Sequence, residues 1–87
     1  MKKKIQYADF LEKAIGEKLM QKNIKFSHES QGINIGLDFY LYDYDIYIEI
    51  KQYHSDRIAL QLSRQENVIV LQGKKSVAYF LKLLDKL

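Results

Sequence analysis

Apolar residues in this chain recur with two different periods, and the places where the period changes mark its elements. Ile33, Ile35, Leu37, Phe39 and Leu41 occupy every second position, and after a break Ile46, Ile48 and Ile50 do the same. A period of two belongs to strands with one buried face. The other face of this predicted hairpin carries Asn34, Gly36, Asp38, Tyr40 and Tyr42 from the first strand, and Asp45, Tyr47, Glu49 and Lys51 from the second. Both apolar sets must lie on one side of the sheet. A short reversal at Asp43 and Tyr44 then pairs Leu41 with Ile46, Phe39 with Ile48 and Leu37 with Ile50. In that register Asp38 falls opposite Glu49.

On either side of the hairpin the period lengthens. From Tyr7 to Lys22, Ala8, Leu11, Ile15 and Leu19 form one helical stripe. Glu12 lies at the edge of that stripe and can reach the sheet, whereas Glu17 lies almost opposite it. A strand is predicted over Ile24–His28, ending in the polar turn Glu29-Ser30-Gln31-Gly32. Nothing pairs with His28 by spacing, and His54 reads as a loop residue. Ser55 is an N-cap candidate for a helix to about Gln65, with Ile58 and Leu62 inward and Gln61 at the margin. Asn67–Leu71, NVIVL, is an unbroken β-branched and aliphatic run, the pattern of a strand covered on both faces. After Gln72-Gly73 a last helix runs from Lys74 to Leu87, with Val77, Phe80, Leu81 and Leu84 as its buried stripe. The expectation is an α/β (α+β) fold in the order α-β-β-β-α-β-α, a central mixed sheet flanked by helices.

Composition narrows the class. A chain of 87 residues with 47% hydrophobic and 13% aromatic content suits one small globular domain, set at residues 7–87 behind a flexible basic leader at 1–6. There is no cysteine, so neither disulfides nor zinc-thiolate sites stabilise it. No apolar run has the length of a membrane span and the N-terminus lacks the core of a signal peptide, so a soluble cytoplasmic protein is expected. The formal net charge of +3 favours polyanions only mildly.

The candidate chemistry lies on the hairpin. Opposed carboxylates at about 5 Å are destabilising by a few tenths to about 1 kcal/mol unless a cation sits between them. Oxygen ligands converging in this way suit Mg²⁺ or Mn²⁺, which also leave room for water and a phosphate. Lys51, one pleat beyond Glu49, points into the same space.

An Asp on one strand followed by Glu-x-Lys on the next, here Asp38 and Glu49-Ile50-Lys51, resembles the core motif of the PD-(D/E)XK nuclease superfamily. The resemblance spans about Ala8 to Leu84 and includes the order of elements, the restriction-endonuclease-like minimal core. Leu37 departs from it, standing where the superfamily often has Pro. Within the superfamily the pattern is similar to the small virus-type replication-repair nucleases. The resemblance implies a metal-dependent deoxyribonuclease of phage or bacterial type, acting on DNA that includes branched or repair intermediates, as a homo-oligomer or within a replication or repair complex. It implies Asp38, Glu49 and the main-chain carbonyl of Ile50 as metal ligands, Lys51 as catalytic, and Glu12 and Gln61 as supporting residues. Lys74 and Lys75 at a helix start, and Arg57, are the matching candidates for nucleic-acid contact. Two other readings compete: a catalytically inactive nucleic-acid-binding module on the same scaffold, and an interaction protein whose Tyr40, Tyr42, Tyr44 and Tyr47 form a partner surface.

Overall fold

The computed structural model describes residues 4–31, 37–51 and 66–87. Helix α1 covers Phe10–Gln21, followed by strand β1, Phe26–His28, and one 3-10 turn, Glu29–Gln31. Strands β2, Phe39–Leu41, and β3, Ile46–Lys51, form the hairpin, and strand β4, Val68–Gln72, leads directly into helix α2, Gly73–Asp85. The sheet order is β1-β2-β3-β4; the first two pairings are antiparallel and β3–β4 is parallel. The architecture is therefore α+β with a mixed four-stranded sheet, as the periodicity implies. The helix expected at Ser55–Gln65 lies outside the described residues, and with it Arg57, Gln61 and His54. So do Ile33, Ile35 and Gly36 of the hairpin's first strand.

Hairpin register follows the apolar alternation: Phe39 pairs with Ile48 and Leu41 with Ile46. Pairing stops there, leaving Tyr42–Asp45 as a four-residue turn instead of the two-residue loop expected. Asp45 adopts φ 51°, a left-handed conformation that Asp tolerates better than most residues. The turn is held by the Tyr40 hydroxyl donating to Asp45 Oδ1 at 2.9 Å and by Asn67 Nδ2 donating to the Asp45 carbonyl at 2.8 Å.

Helix α1 starts three residues later than the periodicity suggests because Asp9 caps it, its side chain accepting the Glu12 N–H at 2.9 Å. Ala8 consequently stands outside the helix and is exposed. Leu11, Ile15 and Leu19 of α1 join Val77 and Leu84 of α2 over Phe39, Leu41, Ile48, Ile50 and Leu71, forming a single core on one face of the sheet. Phe80 and Leu81 pack against its margin. At their far ends the two helices are joined by Lys18 Nζ to Asp85 Oδ1 at 2.7 Å. Strand β4 departs from expectation: Leu71 is buried, but Val68, Ile69 and Val70 are only half-buried, because β4 lies at the edge of the described sheet. Among the described residues no helix is long and apolar enough to cross a membrane.

Candidate active site

The polar face of the hairpin narrows to a carboxylate pair at the C-terminal end of β3. Asp38 is 8% exposed and Glu49 5%, and their side chains hydrogen-bond to each other across the two strands. β2 begins only at Phe39, so the main-chain N–H of Ile50 donates to Asp38 Oδ2, at 2.7 Å, in place of a ladder partner. Ile50 thus enters the site through its main chain. Lys51 Nζ stands 3.3 Å from Glu49 Oε1.

Electrostatics follow from burial. Desolvation disfavours a charged carboxylate, and the negative charges of Glu49 and Glu12 add to it, so Asp38 is pushed up to about 7 against the opposing effect of the Ile50 N–H. Glu49 is also raised by burial, while Lys51 and the hydrogen bond from Asp38 pull it back. Burial and mutual repulsion thus favour a proton on the pair, most strongly at Asp38. Each would bind a cation in place of that proton. Their hard oxygen atoms fit Mg²⁺ or Mn²⁺, and among the described residues no third His, Asp or Glu converges with them. Such a set leaves several positions for water and substrate oxygen.

Glu12 reaches the sheet from α1, as its place on the stripe implies, and is 5% exposed. Glu17 points to solvent, 3.8 Å from Lys13. Yet Glu12 does not join Asp38 and Glu49; its Oε1 accepts from Nε2 of His28 at 2.6 Å, on the core side of β1. The other ring nitrogen of His28 accepts from the Ser30 main-chain N–H at 3.1 Å, which fixes the ring proton on Nε2. Ser30 Oγ also lies 2.8 Å from that nitrogen and accepts from the Gln6 N–H at 2.9 Å. The leader is thus tied down at Gln6. His28 is the residue that spacing missed. A legible signal was present: Ile24, Phe26 and His28 share one face of a strand, which puts a titratable ring among core residues.

Lys74 and Lys75 are exposed in the first turn of α2, Lys74 with Nζ 5.4 Å from the Phe10 ring centroid. Gln72 neighbours Lys51 across β3–β4, so both lysines stand at the same end of the sheet as Lys51. Next to the acids, toward the turn, three of the four tyrosines expected as a group assemble, the Tyr40 ring lying 4.7 Å from Tyr47 and 5.1 Å from Tyr42 between centroids, whereas Tyr44 lies with Ile24, Leu41 and Ile46 instead. Comparisons of the chain with family models, with curated proteins and with solved structures gave no match.

Proposed function

We propose that the protein is a Mg²⁺- or Mn²⁺-dependent nuclease that hydrolyses phosphodiester bonds in DNA. The observation that carries this reading is the juxtaposition of buried Asp38, immediately before β2, and Glu49 on β3, with the Lys51 ammonium 3.3 Å from Glu49. Two acids pressed together destabilise a fold, whereas two acids and a lysine facing one point serve hydrolysis of a phosphate ester. Asp38 offers its Oδ1, since the Ile50 N–H fixes Oδ2 and thereby the orientation of the carboxylate. Glu49 supplies the second carboxylate, and the Ile50 carbonyl is the third ligand by analogy with the superfamily. When bound, the ion contributes acidity to a coordinated water and neutralises charge that develops on the phosphate. Lys51 would orient the attacking water or steady the phosphate oxygens by donating from its ammonium, or, as the neutral amine, would take the proton of that water. Gln61 remains a supporting candidate, whereas Glu12 is engaged by His28, and Arg57, Lys74 and Lys75 are candidates for backbone contacts. The tyrosine row beside the acids suits stacking of unpaired bases.

The test is cleavage of labelled single-stranded, duplex, flapped and four-way DNA with Mg²⁺ or Mn²⁺. Glu49→Ala and Lys51→Ala are each expected to lower the rate by roughly 10²-fold or more while far-UV circular dichroism stays unchanged. No metal-dependent cutting, together with no divalent-ion binding by calorimetry, refutes the nuclease. DNA binding without cutting would leave the inactive binding module.

A further inference from the structure

The two edges of the sheet are protected unequally. β1 is three residues long, preceded by Lys25 and closed by a 3-10 turn. β4 is five residues, Val-Ile-Val-Leu-Gln, without a charge or a proline, and no strand pairs beyond it among the described residues. An edge of that kind is a template for pairing with another chain, which is why solvent-exposed edges usually carry lysine, proline or a bulge. Alongside it an open apolar groove of about 490 Å³ lies between β4 and α2, its walls including Ile69, Leu71, Phe80, Tyr79 and Leu83. Tyr79 is 65% exposed and Leu83 41%.

We propose that this edge is a dimer interface, in which β4 pairs antiparallel with β4 of a second copy of the chain. Self-complementarity selects a second copy as the occupant. Opposed residues must share a face, so Ile69 and Leu71 on the core side have to meet each other. The register that uses all five residues puts Val70 opposite Val70, Ile69 opposite Leu71 and Val68 opposite Gln72. Glu66 precedes β4 and Lys74 stands in the first turn of α2, so the twofold brings the exposed Glu66 end of each copy to the exposed Lys74 end of the other, opposite charges flanking an uncharged strand. Shifting by two residues in either direction loses strand pairing.

The symmetry is a closed, isologous twofold. Its axis passes through Val70 normal to the sheet, so both copies of α2 lie on one side and present Tyr79 and Leu83 to each other's grooves. A further consequence rests on the nuclease reading, although the dimer does not. Glu49 neighbours Val70 across β3–β4, so the two Glu49 residues occupy one row of the continuous sheet, three strand spacings or about 14 Å apart. Two centres opening on the same face suit a two-stranded substrate.

The mass of the full chain in solution, measured by light scattering, is expected to be about twice 10.3 kDa. Register is tested by cysteine substitution, which is clean because the chain has no cysteine of its own. Val70→Cys is expected to form an intermolecular disulfide under mild oxidation, since Cα atoms of directly opposed residues lie about 4.5–5.5 Å apart. Val68→Cys, opposite Gln72, is not. Glu66→Lys and Lys74→Glu should each weaken the dimer roughly ten-fold, with the double reversal restoring it. A chain that is monomeric at about 0.1 mM, equal cross-linking at 68 and 70, or charge reversals without effect would each overturn the proposal. None of these outcomes bears on DNA cleavage.

Discussion

Among the described residues two polar pairs are buried, one on each face of the sheet, and they are built on opposite principles. On the core face Glu12 meets His28, an acceptor facing a donor, and the second nitrogen of His28 is also engaged, by Ser30. On the other face Asp38 meets Glu49, acid against acid, with Lys51 offsetting only part of the repulsion. The first arrangement satisfies every group it buries, which is what stability requires. The second leaves a proton shared where a cation would do better. Comparable burial thus marks a structural tie in one case and, on the proposed reading, a site for chemistry in the other.

If that contrast holds, changes to the two pairs must shift stability in opposite directions. The largest effect is expected at the satisfied pair. His28→Ala leaves the Glu12 carboxylate buried without its donor and removes a ring stacked edge-on to Phe39 at 4.9 Å. Breaking a buried pair at one partner costs about 3 kcal/mol or more, readable by urea denaturation. Glu12→Gln keeps an acceptor for Nε2–H and should lose only about 1 kcal/mol. Equal losses from both variants would mean that the ring packs but the hydrogen bond contributes nothing.

At the acid pair the sign reverses. The unfolded chain releases the Asp38 proton near 3.8, whereas the folded protein holds it to about 7. Between these values the native state binds more protons, so stability from this group is complete below the lower value and falls as pH rises through the upper one. Asp38→Asn imitates the protonated acid, accepting from the Ile50 N–H and donating to Glu49, but has nothing to lose. It should stabilise the metal-free protein by about 1–2 kcal/mol at pH 8, after allowance for water that reaches the pair, and by nothing near pH 4. Thermal denaturation at the two pH values checks this; a destabilised Asn variant at pH 8 would show that the pair is not under electrostatic stress.

Much of this contrast is legible in the sequence alone. Strict alternation in Leu37–Leu41 and Ile46–Ile50 sets the hairpin register, and the register alone brings Asp38 to Glu49. The helical stripe of α1 likewise singles out Glu12 over Glu17. What alternation does not reveal is what lies across the gap between layers. Glu12 and His28 are 16 residues apart on a helix and a strand, and no period relates them; only the packing of α1 on β1 does. The aliphatic run of β4 misleads for a related reason, since residue type reports the tendency to be covered and not whether the same chain supplies the cover.

The smallest effect concerns a flaw on the satisfied side. The hydroxyl of Tyr7 is buried without a hydrogen-bond partner. Its ring lies against Gly16, where a side chain would collide with it, and edge-on to His28 at 5.3 Å. Burial, and then the charges of Glu17 and Glu12, raise its pKa, so it stays a phenol throughout the physiological range and adds no pH dependence there. Tyr7→Phe keeps the aromatic contacts and removes the orphaned oxygen. A gain of about 0.5–1 kcal/mol in urea denaturation is expected, the same at pH 5 and pH 8. A loss of that size would show that the hydroxyl has a partner in solution, and the core face would then owe its stability to a larger polar network than the Glu12–His28–Ser30 chain.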